Sequence, residues 1–314
     1  MISQIYSRTA RKLGTSRKNI RNSLMKLPAM LRSEFEYCFM KHAEGPVNNV
    51  EMRVVGMSRS GNHPIINWIG LQFPGKRVCL INTAQPKTNP FVTGYSEGEG
   101  YTIFFNDFMI NKKWEQRQRF RKKDCLIYTY ENTPLREVVA PEFEANRETW
   151  VGKSLKRYDL LILRDPFNLF ASRLRLKAKF NERPDVQRQI PGLVSLWKDY
   201  AKEYLRKTSN FKNDLVTISY NSWFSSVDYR RNLANKLGIP FTDRGIEKVV
   251  LVGTGSSFDG QKFCGKAGEM KVLERWRHFV DDEFYRGIFR DRELVELSDE
   301  IFGKIPGIEI LFEK

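Results

Sequence analysis

The sequence is poor in the residues that staple small folds and bind metals. Its 314 residues hold four cysteines, Cys38, Cys79, Cys125 and Cys264, far apart and with no CxxC pair, and three histidines, His42, His63 and His278. This excludes a disulfide scaffold and predicts buried free thiols in a reducing, cytoplasmic compartment. The histidine and cysteine spacings fit no zinc site, so a zinc enzyme is not expected. No run of ~18 apolar residues occurs, which argues against a transmembrane helix, and the N-terminus lacks the apolar core of a signal peptide. Acidic residues are missing altogether from Met1 to Ser33, where Arg8, Arg11, Lys12, Arg17, Lys18, Arg21, Lys26 and Arg32 stand.

What is present describes a folded, basic protein. The hydrophobic fraction is 41% and the aromatic fraction 13%, too rich for wholesale disorder. Lys and Arg number 53 against 37 Asp and Glu, a net charge of +16. A surface this basic favours an anionic partner: nucleotide, nucleic acid, sulfated or uronic glycan, or acidic membrane. In the acid-free segment Ile5, Leu13, Ile20, Leu24, Leu27 and Leu31 recur at roughly helical spacing, so residues 1–33 read as a basic amphipathic helix. Three roles stay open for it: a solvated arm, a peripheral contact with a membrane surface or polyanion, and an organelle transit segment.

From Val50 onward short β-rich runs alternate with amphipathic stretches, which predicts an α/β fold with a central parallel sheet flanked by helices. Strands are expected at 51–55, 77–81, 102–105, 125–130, 158–163 and 215–219, and helices at 63–71, 111–121, 167–180, 193–207, 224–237 and 291–302. The expected organisation is a basic helical arm over 1–49 and one α/β domain over 50–314. The loops 82–100 and 253–268 are expected to wall a substrate site.

Two segments carry chemistry. Gly56-Met57-Ser58-Arg59-Ser60-Gly61-Asn62-His63-Pro64 falls between an apolar strand and a helix, where backbone N–H groups and the positive end of the helix dipole can cradle a phosphate. It is not a Walker A loop, because Asn62 and His63 stand where Lys and Ser or Thr would be needed. Leu160-Leu161-Ile162-Leu163-Arg164-Asp165-Pro166 ends a second apolar strand. Asp165 is placed to cap the next helix, with Pro166 in its first turn. Arg164 at the strand end and Ser172 two helical turns on can converge on one anion.

In order and separation these two segments resemble those of the sulfotransferase family, whose donor is 3′-phosphoadenosine-5′-phosphosulfate (PAPS). The resemblance implies a P-loop-NTPase-like sulfotransferase fold. Arg59-Ser60-Gly61-Asn62 is similar to the [K/R]-S-G-T-[T/N] loop that holds the 5′-phosphosulfate, and His63 follows within it. Arg164-Asp165-Pro166 with Ser172 is similar to the R-[D/N]-P segment and helix serine that hold the 3′-phosphate. Val216 to Asn221 resembles the strand that lines the adenine, with Tyr220 retained, and Phe263 to Glu269 resembles the late R-K-G-x-x-G loop, with Lys266 as its retained cation. The resemblance implies PAPS as co-substrate, adenosine 3′,5′-bisphosphate (PAP) as product, no metal, and Arg59, Ser60, Gly61, Asn62, His63, Arg164, Ser172, Tyr220 and Lys266 in the donor site.

Sulfuryl transfer also needs a base for the acceptor hydroxyl. Family members use a His or a Glu, and Glu131 in Tyr128-Thr129-Tyr130-Glu131 falls where the base histidine stands in the cytosolic branch. His63 competes as a titratable group inside the loop, and Asp107, Glu97 and Glu99 stay open. Arg59 is implied to stabilise the leaving phosphate, a role its permanent charge suits. Arg275 and His278 read as part of a packed helix whose basic face touches the acceptor. The expected acceptor is a hydroxyl on a carbohydrate or polysaccharide precursor, an anionic glycan among the candidates; nucleic acid is not expected. Two other readings remain: a P-loop kinase of a small metabolite, and a non-enzymatic polyanion-binding module.

Overall fold

The computed structural model describes residues 45–73, 77–93, 110–179, 183–249 and 255–313. Residues 1–44, the expected strand 102–105, and the candidates Glu97, Glu99 and Asp107 lie outside these segments. Five strands, β1 (Asn48–Gly56), β2 (Val78–Ile81), β3 (Lys123–Glu131), β4 (Ser154–Leu163) and β5 (Asp214–Ser219), form one sheet in the order β2-β3-β1-β4-β5. All four pairings are parallel. The expected fold class is therefore the observed one: a parallel sheet with helices on both faces.

The strands are buried on both sides because successive side chains point to opposite faces. Met52, Val54, Leu160 and Ile162 pack under α1 (Asn62–Leu71) and the helix Val227–Leu237. Val55, Leu161 and Leu163 face the opposite core with Phe170, Trp197 and Trp276. Each fully buried large side chain contributes about 1.5–3 kcal/mol relative to exposure. β1 also carries Glu51 and Arg53, buried near the amino end of the sheet. Arg53 pairs with Asp159 at 2.7 Å, and Glu51 with Arg147 at 2.6 Å and the Tyr128 hydroxyl at 2.7 Å. Each charge is matched, as burial demands, and the cluster lies away from the carboxyl ends of the strands.

Helix boundaries depart from expectation where local chemistry outweighs periodicity. The expected helix 111–121 closes after Lys112–Gln116, because Gln118 turns left-handed (φ 62°) and sends the chain into β3. The expected helix 224–237 is two helices, Tyr220–Ser225 and Val227–Leu237, parted at the extended Ser226, whose Oγ caps the second by accepting from the Tyr229 amide. The helix expected from residue 193 begins at Arg183 and runs through the exposed Pro191. Helix α2 (Pro141–Val151) was not expected, since it buries only Phe143 and Val151 and so has no apolar stripe. Cys79 and Cys125 are free and buried, and burial pushes the Cys79 thiol up to about 12; Cys264 is exposed. No helix among the described residues is long and apolar enough to cross a membrane.

Candidate active site

β1 is the central strand, and the chain leaves it towards β2 on one side and later crosses to β4 on the other. Open α/β sheets bind ligands at such a switch point, outside the carboxyl ends of the strands. A cavity of about 240 Å³ lies there, lined by residues following β1, β3, β4 and β5, among them Arg59, His63, Glu131, Arg164 and Tyr220.

The loop after β1 is shaped as an anion cradle. Arg59 (φ 74°) and Gly61 (φ 88°) are left-handed, and the Ser60 amide closes a turn onto the Met57 carbonyl at 3.0 Å. Alternating handedness of this kind aims backbone N–H groups inward, and α1 begins directly after it. Glycine is required at 61: a Cβ there would lie 2.0 Å from the Tyr220 ring. Gly61→Ala is expected to cost at least about 1–2 kcal/mol from the left-handed backbone alone, with the ring contact added. Thermal unfolding checks this, and an unchanged Tm would contradict the packing of Tyr220 over the loop.

Arg164, at the end of β4, joins this loop to a second polar cluster. Its Nη1 donates to the Arg59 carbonyl and to Ser172 Oγ, both at 3.1 Å, and its guanidinium lies 4.9 Å from the Tyr220 ring centroid. Asp165 caps helix α3 (Pro166–Lys179) by accepting from the Asn168 amide at 2.8 Å, which sets Ser172 on the face turned towards Arg164. Arg275, about a hundred residues later, donates from Nη1 to the same Ser172 Oγ at 3.1 Å and from Nη2 to Ser256 Oγ at 2.8 Å. Tyr220 stacks on Trp223 and Phe224, with planes within 30° of parallel, an aromatic wall suited to a flat heterocycle.

Among the described residues the cluster brings three guanidiniums close together, those of Arg59, Arg164 and Arg275. Burial, then the neighbouring Arg164, pushes the Arg59 guanidinium down, and burial with Arg164 and Arg59 pushes Arg275 down to about 9. Asp259, at 3.7 Å from Arg275, supplies partial compensation. Among the described residues, Ser60 Oγ and Arg164 Nε are buried without a hydrogen-bond partner. Buried polar atoms are rarely left so, and these two, with Ser172 between two guanidiniums, fit a ligand carrying two separate anionic groups.

Glu131 ends β3 level with Gly56 of β1, and its Oε1 accepts from Asn62 Nδ2 at 3.0 Å. His63 faces Asn82 at 3.3 Å. Since Asn82 Oδ1 accepts from Thr129, its amide nitrogen points at His63 Nε2 and occupies that lone pair. Burial holds the imidazole below its ordinary value, against the opposing pull of Glu131. A neutral ring with its acceptor nitrogen engaged is a hydrogen-bond donor through Nδ1 rather than a proton acceptor.

The structure thus gathers Arg59, Ser60, Gly61, Asn62, His63, Glu131, Arg164, Ser172 and Tyr220. It does not bring Lys266 with them: that side chain is 70% exposed and stands 3.9 Å from Glu269. Arg275 lies in the packed helical turn expected of it and sits against Ser172. The sequence pattern does not single out Arg173. It donates from Nη1 to the Ser58 carbonyl and to Asn132 Oδ1, stapling the loop to the end of β3, and burial pushes it down to about 10. Among the described residues no group of three or more His, Cys, Asp or Glu is placed to hold a metal.

The chain matches no family model and no curated protein. Among solved structures it is similar to the sulfotransferase domain of the Synechococcus PCC 7002 olefin synthase, at 13% identity and TM-score 0.47, over 85% of this chain and 99% of that one. It is also similar to mouse sulfotransferase SULT7A1 complexed with PAP, at 13% identity and TM-score 0.42, over 81% of this chain and 89% of that one.

Proposed function

We propose that this chain is a cytoplasmic PAPS-dependent sulfotransferase acting on a hydroxyl of a carbohydrate or polysaccharide precursor. One observation carries the reading: a single guanidinium, Arg164, hydrogen-bonds both the β1 loop and Ser172, which would set two anion sites side by side next to an aromatic wall. That arrangement fits a nucleotide with phosphates on both its 3′ and 5′ positions. Arg59, Ser60 and the loop amides would hold the 5′ group; Arg164, Ser172 and Arg275 the 3′-phosphate; Tyr220 the base. A kinase would need a Lys and a Mg²⁺-binding hydroxyl, and the loop has Asn62 and His63 in those places.

When bound, PAPS supplies an activated sulfuryl group. The chain's own residues do the rest. Glu131, with Oε1 fixed by Asn62, presents Oε2 to take the acceptor proton. Arg59 and the inward amides stabilise negative charge developing on the departing phosphate oxygen. Burial biases His63 towards its neutral form. The net charge of +16 favours an anionic acceptor. Nucleotide titration tests the reading: PAP is expected to bind without metal and more tightly than Mg-ATP.

A further inference from the structure

The Asn168 side chain is used by nothing described so far, yet it is fully buried and each of its hydrogen-bonding atoms is engaged. Nδ2 donates to both oxygens of Asp165 at 3.1 Å and to the Leu273 carbonyl at 3.0 Å. Oδ1 accepts from the backbone amide of Arg275 at 2.7 Å and from that of Trp276 at 3.4 Å. Asp165 is held from its other side by Asn221 Nδ2 at 2.9 Å, next to Tyr220.

Asn168 and Ser172 are one turn apart on α3 and so share a face. The first grips the backbone of Arg275 and the second its guanidinium. An arginine has many rotamers, and its guanidinium is useful to a phosphate only where the backbone is set. Arg275 is far from α3 in sequence and lies in a short 3₁₀ turn, Arg275–Phe279, that has no side-chain cap. The hydrogen bonds to Asn168 supply the register that the turn itself does not.

We propose that Asn168 is a positioning residue: it sets Arg275 over Ser172 and so acts on recognition of the nucleotide's 3′-phosphate without touching the nucleotide. This inference rests on the donor-site reading above. It predicts an effect confined to ligands that carry a 3′-phosphate, which a purely structural role would not produce.

The test is calorimetric titration of the full chain with PAP and with adenosine 5′-phosphate, which lacks that group. Asn168→Ala is expected to lower the ratio of the two affinities by about 10-fold, the scale of one charge-assisted contact. Arg275→Ala should do the same. The double variant should lose no more than Arg275→Ala alone, because both changes remove one contact. An unchanged ratio in a folded Asn168→Ala, or losses that multiply in the double variant, overturns the proposal. So does an unchanged ratio in a folded Arg275→Ala, whether or not the Asn168 variant folds. Equal affinity of the wild-type chain for the two nucleotides would instead remove the 3′-phosphate site, and the donor reading with it.

Discussion

Replacing Arg164 by alanine lowers PAP affinity by about 1.5–3 kcal/mol, or roughly 10- to 150-fold, if the guanidinium makes charge-assisted bonds to the nucleotide. The expectation follows from its place. Arg164 is 2% exposed, bonds the Arg59 carbonyl and Ser172 Oγ, and packs near the Tyr220 ring. One truncation therefore loosens the β1 loop, the Ser172 cluster and the aromatic wall, the groups proposed to hold the nucleotide. Ser172→Ala removes the hydroxyl between two guanidiniums and should weaken PAP in the same direction. Titration calorimetry at fixed salt measures both. Tight, steeply salt-dependent polyanion binding that survives Arg164→Ala would restore the reading of a binding module, in which diffuse charge replaces a pocket.

Glu131→Gln should leave PAP affinity near normal and collapse turnover by ~10²–10⁴-fold, the usual contribution of a positioned base. The substitution keeps the shape and an oxygen for Asn62 Nδ2, which now reaches Glu131 at 3.0 Å. It removes the proton acceptor. A loss in kcat with unchanged nucleotide binding separates this from damage to the donor site. Any hydroxyl acceptor that supports wild-type transfer serves for the assay. If Glu131→Gln retains full activity, the base lies elsewhere; His63 is then a poor substitute, because its Nε2 lone pair already accepts from Asn82.

Much of this site was legible because its parts are local. A strand, a tight loop and a helix bring Arg59, Ser60 and Gly61 together within a few residues, and the Asp165 cap with Ser172 two turns on is fixed by helix geometry alone. The parallel sheet was legible for a similar reason, since strands buried on both faces read as continuous apolar runs. Arg275 was not. Its burial comes from Asn168 and Ser172, over a hundred residues earlier, and no spacing within Leu273–Arg277 announces that contact. Lys266 stood in the motif-like loop, but the turn there points it to solvent beside Glu269. Helix limits failed where one residue decided the backbone, as at the left-handed Gln118 and the capping Ser226.

One pocket is proposed to bind a 3′,5′-bisphosphate nucleotide without metal. Titration of the purified chain with PAP and with ATP, each with and without Mg²⁺, tests it most directly. PAP binding that exceeds ATP binding and is indifferent to Mg²⁺ is the predicted result. Preference for Mg-ATP, or no nucleotide binding at all, would contradict it.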